Sequence, residues 1–373
     1  MATLADVVRI GFAAALAGAV WRRIVLQLQQ KSLPQPPPPS PPSNGAAKPP
    51  LNGNSSLAPT SGGPHKLSDC GVMRDLAPTL TCKTYFQGKW HDGNIAIMGA
   101  ADHATWLGSS CFDGARYYDR CCPDLDEHMK RIVRSATNLG MDSPLTAVEI
   151  MRIAMDGIRL YPPEAELYIR PFMWSTGFGP GFVMPKADSC QFSMCIEEMP
   201  LGGGSEQSMT VTPLLRKCNL TTAPTDAKAV CLYPHYGRMS REALSRGFNV
   251  ALALDANGNV AETHSANVFM AKDGIVFTPI PNGSFLSGIT RKRVIGLLRD
   301  LGVSVVEKSL VPADFAAADE IFCTGNAFKV QPMSRFEERK LPAPGPMAVK
   351  AKEAYAKWAK TQTMAAVSKA QGL

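Results

Sequence analysis

The stretch VALALDANGNVAET at residues 250–263 is followed three residues later by NVFMAKDGIVFTP at 267–279. Each alternates apolar with small or polar positions about a central pair, Asn257-Gly258 in the first and Asp273-Gly274 in the second. The central positions of a two-residue hairpin turn need positive φ, which Asn, Asp and Gly adopt at little cost. The two stretches therefore predict consecutive β-hairpins. Helices at RKRVIGLLRDLG (291–302) and AVKAKEAYAKWAK (348–360) follow this antiparallel start, which predicts a larger α+β domain over residues 200–373.

Upstream, PLGGGSEQ (200–207) is the natural hinge, and residues 76–199 read as a smaller α/β domain. In it TYFQGKWHDGNIAIM (84–98) predicts strands joined at Asp92-Gly93. PDLDEHMKRIVRSATNLGM (123–141) predicts a helix with Asp124 as N-cap, Leu125, Met129, Ile132, Val133 and Ala136 on one face, and Gly140 past its end. A second helix follows over 145–161, and ELYIRPFMW (166–174) predicts a strand that stops at Pro171.

Residues 1–75 read as an extension separate from the fold. Residues 33–65 hold eleven prolines and no acid or aromatic residue, too little apolar surface to offset the entropy of ordering, which predicts a disordered linker. The charge-free run at 10–21 has twelve residues, short of the roughly 20 that a membrane-spanning helix needs. Its alanines and flanking arginines are compatible with an organelle presequence, a weak signal peptide, a membrane-surface anchor or a solvated tail. The expected location is cytoplasmic or organellar, the mitochondrion included. Of the net charge of +7, residues 1–68 carry +5, six basic residues against Asp6, which leaves +2 on the other 305. A nearly neutral folded part argues against nucleic acid as a partner, and membrane contact falls to the N-terminal segment alone. The ten cysteines show neither CxxC nor Cys/His metal spacing. They read as small buried apolar residues, and no metal is expected.

Four short segments carry groups suited to chemistry. FLSGITRKRVIGLLRDLG (285–302) turns at Gly288 into a helix whose first amides, at Ile289 and Thr290, face an anion favourably along the helix dipole. DEIFCTGNAFKVQP (319–332) runs an apolar strand into Thr324, Gly325 and Asn326, a second turn with hydroxyl and amide groups. Glu262 shares a face with Val260 on a half-buried strand and, once buried, needs a hydrogen-bonding or cationic partner. Lys228 heads the apolar run KAVCLY (228–233), where burial and nearby positive charge favour the neutral amine that forms a Schiff base with a carbonyl. Singly, each also reads as a wet helix start, a polar turn, a surface acid or a solvated lysine. Together they are the parts that pyridoxal phosphate requires.

Eight motifs occur in order: SSCFDGARYY (109–118), DEHMKRI (126–132), LYIRP (167–171), KAVCLY (228–233), GNVAETHSANVF (258–269), DGIVFTP (273–279), LSGITRKRVI (286–295) and ADEIFCTGNA (318–327). Over about residues 84–350 the chain thereby resembles the class IV aminotransferases, the fold type IV pyridoxal-phosphate enzymes, and most closely the branched-chain amino-acid aminotransferases. The resemblance implies an α+β fold of two domains, a small α/β domain and a larger pseudo-barrel, in a homodimer. It implies that Lys228 attaches the cofactor, Tyr233 contacts its phenolic oxygen and Glu262 pairs with its ring nitrogen. Arg131, Gly288, Ile289, Thr290, Thr324, Gly325 and Asn326 would hold the phosphate. Phe112 and the amides of Asn326 and Ala327 would meet the substrate, and Arg170 the side-chain carboxylate of glutamate. The implied reaction is ping-pong transamination from leucine, isoleucine or valine to 2-oxoglutarate.

The chain departs from the family pattern at three places. The usual Gly-Asn-Tyr is Cys231-Leu232-Tyr233, the Glu-Gly pair is Glu262-Thr263, and the Thr-Gly-Thr turn is Thr324-Gly325-Asn326. These leave a D-amino-acid or amine transaminase, or an aminodeoxychorismate lyase, as alternatives of the same fold. A catalytically silent tethered scaffold is the alternative of another class, and the presence of both Lys228 and Glu262 argues against it.

Overall fold

The computed structural model describes residues 82–202 and 206–372. The charge-free run and proline-rich linker of the N-terminal extension, and the centre of the expected hinge, lie outside the described residues.

Strands β1 (Cys82–Phe86) and β2 (Lys89–Asp92) form a hairpin that turns at Gln87-Gly88, both at positive φ, and not at Asp92-Gly93. Gly93 closes the ladder instead, its N–H donating to the Cys82 carbonyl at 2.8 Å. Both Xaa-Gly pairs suit a tight turn locally, so pairing with the rest of the sheet chooses between them. Next come α1 (His103–Leu107), β3 (Ser110–Phe112), β4 (Ala115–Tyr117), α2 (Leu125–Asn138), α3 (Ala147–Ile158), β5 (Leu167–Ser175) and β6 (Cys190–Glu198). The sheet order is β2-β1-β6-β5-β3, with β4 also on β5, all antiparallel.

Strand β5 runs through Pro171 rather than stopping there. The Pro171 carbonyl accepts from the Asp113 N–H at 3.0 Å in the gap between β3 and β4, so the missing proline N–H falls where the ladder is already broken. Helix α2 starts after Asp124 as expected, but Asp124 makes no side-chain cap; its carboxylate holds Arg293 at 2.6 Å. The apolar faces of α2 and α3 meet the sheet through Leu125, Met129, Ile132, Ile150 and Ala154.

The chain continues through β7 (Ser208–Arg216), α4 (Tyr233–Ser245), β8 (Val250–Leu254), β9 (Val260–Thr263), β10 (Asn267–Lys272), β11 (Ile275–Pro279), α5 (Ile289–Asp300) and β12 (Val305–Lys308). It ends with α6 (Pro312–Ala316), β13 (Glu320–Gly325), β14 (Lys329–Pro332), β15 (Arg335–Phe336), β16 (Arg339–Lys340), α7 (Pro346–Ala359) and α8 (Met364–Ala370). Both expected hairpins form: β8 pairs β9 around Gly258, and β10 pairs β11 around Asp273-Gly274, with φ of 50° and 77° at that pair. Two five-stranded sheets result, β16-β15-β7-β8-β9 and β12-β11-β10-β13-β14.

Side-chain alternation then sets the layers. Leu252 and Leu254 of β8 join Val268 and Met270 of β10 in one apolar layer between these sheets. On the other faces, Ala251 and Ala253 pack with Met239 of α4, and Phe269 and Ala271 with Val294 of α5 and Ala351 of α7. These strands are buried on both sides, not half-buried as expected, and β9 is buried at every position. The fold is α+β. All nine described cysteines are free, and six of them are buried as small apolar residues would be. Among the described residues no helix is long and apolar enough to cross a membrane.

Candidate active site

The backbone of Lys228 is pinned on both sides. Its N–H donates to Ser135 Oγ of α2 at 3.1 Å, and its carbonyl accepts from the Phe112 N–H of β3 at 3.2 Å. A 3-10 turn (Val230–Leu232) leads into α4, whose start is favoured by Pro234, and returns Tyr233 towards the lysine. Lys228 Nζ donates to Tyr233 Oη at 2.8 Å and lies 4.8 Å from the centre of the Phe112 ring. Burial, and next the Arg131 charge, lower the Lys228 pKa below the ordinary lysine value, whereas burial raises that of Tyr233. An amine that sheds its proton readily beside a phenol that keeps its own suits covalent attachment to a carbonyl.

Glu262 comes from β9 and finds two buried partners. Lys217 Nζ, on a fully buried side chain, donates to Glu262 Oε1 at 2.8 Å, and Asn267 Nδ2 donates to Oε2 at 3.1 Å. Lys217 also donates to the His264 carbonyl at 3.2 Å and lies 3.4 Å from the centre of the Tyr236 ring. Burial lowers the pKa of Lys217, and the Glu262 charge opposes that fall.

His264, beside this pair, is pushed down to about 4 by burial and then by the Lys217 charge, against 6.5 in the unfolded chain. The folded state therefore resists a proton that the unfolded state accepts. The stability held above pH 6.5 is lost as pH falls towards 4. The loss expected from this group is at most about 3 kcal/mol. Denaturant melts of wild type and His264→Asn between pH 7 and 4 check it, and equal pH slopes for the two would refute the assignment.

At the other end, α5 begins at Gly288 with no side-chain cap. A Cβ at Gly288 would stand 1.9 Å from Asn267 Oδ1, so only glycine allows the helix start to approach Asn267 so closely. Asn267 also donates to the Leu286 carbonyl at 3.2 Å and so braces the helix start against Glu262. Across from α5, Arg131 grips Asp113 with Nε and Nη2 at 2.7 and 2.8 Å, and His128 Nδ1 lies 2.7 Å from the same carboxylate. Burial alone would raise the Asp113 pKa, but Arg131 and His128 overcome it and hold the carboxyl well below the usual range.

One cavity of about 240 Å³ joins these parts. Phe112, Ala327 and every cofactor residue expected from the sequence line it. Arg170 does not: it is half-exposed, donates to Glu197 Oε1 at 3.1 Å and stacks on the Tyr168 ring at 4.9 Å, while Tyr168 itself lines the cavity. The nearer acid on the neighbouring strand draws Arg170 away. Sequence reasoning missed Asp113, His128, Lys217 and Asn267. Two atoms of cavity-lining residues, Thr324 Oγ1 and Asn326 Nδ2, are buried without a protein partner. Orphaned donors of this kind beside an uncapped helix start fit a bound phosphate.

A family model described as amino-transferase class IV matches residues 110–336. The chain belongs to the class IV aminotransferases. It is 31% identical over 255 residues to the branched-chain-amino-acid aminotransferase of Escherichia coli K12, covering 66% of this chain and 81% of that one. Among solved structures, this aminotransferase is similar to one from Brucella abortus bound to the cofactor PLP, with a TM-score of 0.73, 46% identity, and coverage of 75% of this chain and 99% of the other. It is also similar to the branched-chain aminotransferase of Thermoproteus uzoniensis with norvaline, with a TM-score of 0.69, 29% identity, and coverage of 76% and 97%.

Proposed function

We propose that this class IV aminotransferase binds pyridoxal 5'-phosphate and transfers the amino group of branched-chain L-amino acids to 2-oxoglutarate. The observation that carries the reading is the one cavity lined together by Lys228 and Tyr233, by Glu262, whose carboxylate Lys217 holds from behind, and by Thr324 and Asn326 with their orphaned polar atoms. Lys228 would attach the cofactor, Glu262 would hold the proton on its ring nitrogen, and Arg131 with the α5 start and the 324–326 turn would hold its phosphate. When bound, the cofactor supplies an electron sink for the bond broken at the substrate α-carbon. Lys228 Nζ takes the α-carbon proton, and the Tyr233 hydroxyl keeps that amine in place. The substrate carboxylate faces the amides of Asn326 and Ala327. Phe112, Tyr168, Leu232 and Phe328 give apolar walls that favour a branched aliphatic side chain. Arg170 serves the second carboxylate of 2-oxoglutarate only by leaving Glu197.

The same reading makes the protein a homodimer. Trp106 is 71% exposed, and Phe182 and Val183 are 76% and 75% exposed, which is apolar surface of the kind a second copy covers. The purified chain should turn yellow with pyridoxal phosphate and convert leucine, isoleucine and valine with 2-oxoglutarate. A protein that stays colourless refutes the enzyme reading. One that takes up the cofactor and converts D-alanine but none of the three refutes only the substrate class.

A further inference from the structure

Lys329 is buried beside the 324–326 turn without being a wall of the cavity. No carboxylate lies within ion-pairing distance of it among the described residues; its Nζ donates to Asn326 Oδ1 and lies 5.9 and 5.6 Å from the ring centres of Tyr118 and Tyr355. Its φ is 61°, in the left-handed region that glycine or asparagine adopts more readily. Two costs meet at this position, a desolvated amine and a strained backbone. A structural residue here would avoid both.

We propose that Lys329 is a positioning residue for the cofactor phosphate, which by occupying Asn326 Oδ1 fixes the side-chain amide so that Nδ2 donates to a phosphate oxygen. A carboxamide has two ends of nearly equal shape, and rotation by half a turn exchanges donor and acceptor. In its charged form the Lys329 amine donates only, so through its bond to Oδ1 it selects the oxygen and leaves Nδ2 for another partner. Nδ2 is buried with no protein acceptor, as is the donor Thr324 Oγ1 two residues before it. Phosphate oxygens would satisfy both. The departure from the family turn explains why a lysine is needed here. A threonine hydroxyl in place of Asn326 rotates to suit its acceptor, whereas an amide has to be held. Burial pulls the Lys329 pKa down to about 7, and a phosphate dianion close in front of the turn would favour its charged form.

The inference rests on the cofactor site described above, and the test separates the two. Full-length apoprotein is titrated with pyridoxal phosphate and with pyridoxal, which lacks the phosphate, alongside Lys329→Met and Asn326→Ala. Lys329→Met should weaken pyridoxal phosphate at least about tenfold, the loss of one hydrogen bond to a charged group, and leave pyridoxal unchanged. Its apoprotein should melt at or above the wild-type temperature, because methionine replaces a buried amine. A residue that only supported the fold would lower that temperature and weaken both ligands alike. Asn326→Ala should weaken pyridoxal phosphate to a similar degree, and adding Lys329→Met to it should weaken binding no further. Wild-type affinity in Lys329→Met, equal weakening of pyridoxal, or additive losses in the double variant would overturn the proposal. If Lys329→Met does not fold, Asn326→Ala decides alone, and wild-type affinity for pyridoxal phosphate there overturns it. A wild-type protein that binds neither ligand would overturn the cofactor reading itself.

Discussion

Lys228→Ala should lower kcat for leucine and 2-oxoglutarate by at least about 10⁴-fold, since one amine is asked both to attach the cofactor and to move the α-carbon proton. The structure gives that amine no substitute. Lys217 is the nearest other lysine of the site by function, but its Nζ is committed to Glu262 and the His264 carbonyl. Tyr233, which lies 2.8 Å from Lys228 Nζ, stays a protonated phenol because burial raises its pKa, so it offers no free base. The variant should still fold and still hold pyridoxal phosphate. The cradle at Arg131, Ile289, Thr290 and Thr324 does not depend on the lysine side chain, and the backbone of residue 228 keeps its bonds to Ser135 and Phe112. The expected signature is a bound cofactor whose visible absorption is that of the free aldehyde, with no turnover. Retention of more than a hundredth of wild-type kcat would remove Lys228 from its assigned role.

What could be read in advance followed the range of the interaction. The β10–β11 hairpin is set by the adjacent pair Asp273-Gly274, both at positive φ, whereas β8–β9 forms at the expected place through a longer loop closed between Asp255 and Asn259, with only Gly258 at positive φ. The β1 turn was misplaced, because Gln87-Gly88 and Asp92-Gly93 both sit at or beside positive φ and only the pairing of β1 with β6 separates them. The parallel pairs β7–β8 and β11–β12 carry no local signature at all, since their partners are joined by long connections. The site shows the same division. Lys228, Tyr233, Glu262 and the two anion turns lie inside short motifs and could be named from them. Asp113, His128 and Arg131 form a cluster across 15 to 18 residues, and Lys217 reaches Glu262 across 45, so the counter-ions appear only once the sheets are assembled. Arg170 differs in the opposite direction: it lies outside the cavity lining, paired with Glu197. Its motif was present, but the competing acid Glu197 belongs to a neighbouring strand that the motif does not contain.

The Lys217–Glu262 pair predicts a separation of stability from activity. Glu262→Gln keeps the shape of the side chain but gives the Lys217 amine, on a fully buried side chain, a neutral amide oxygen in place of its counter-charge, beside the His264 carbonyl and the Tyr236 ring. Breaking a buried pair by removing one member costs about 3–5 kcal/mol. The variant should therefore melt well below wild type. Adding Lys217→Met removes the stranded charge and puts an apolar chain of similar length against Tyr236. Most of the lost stability should return, because replacing both members of a buried pair is often neutral or stabilising. Activity should not return with it. The carboxylate is absent in both variants, and the loss of one preorganised charge at a reacting group costs on the order of 10²–10³ in kcat. Chemical denaturation and steady-state kinetics on the single and double variants measure the two quantities independently. If kcat recovered together with stability in the double variant, Glu262 would act through the fold alone; if neither recovered, Lys217 would have a use beyond neutralising Glu262, and its contact with the His264 carbonyl is where that use would lie.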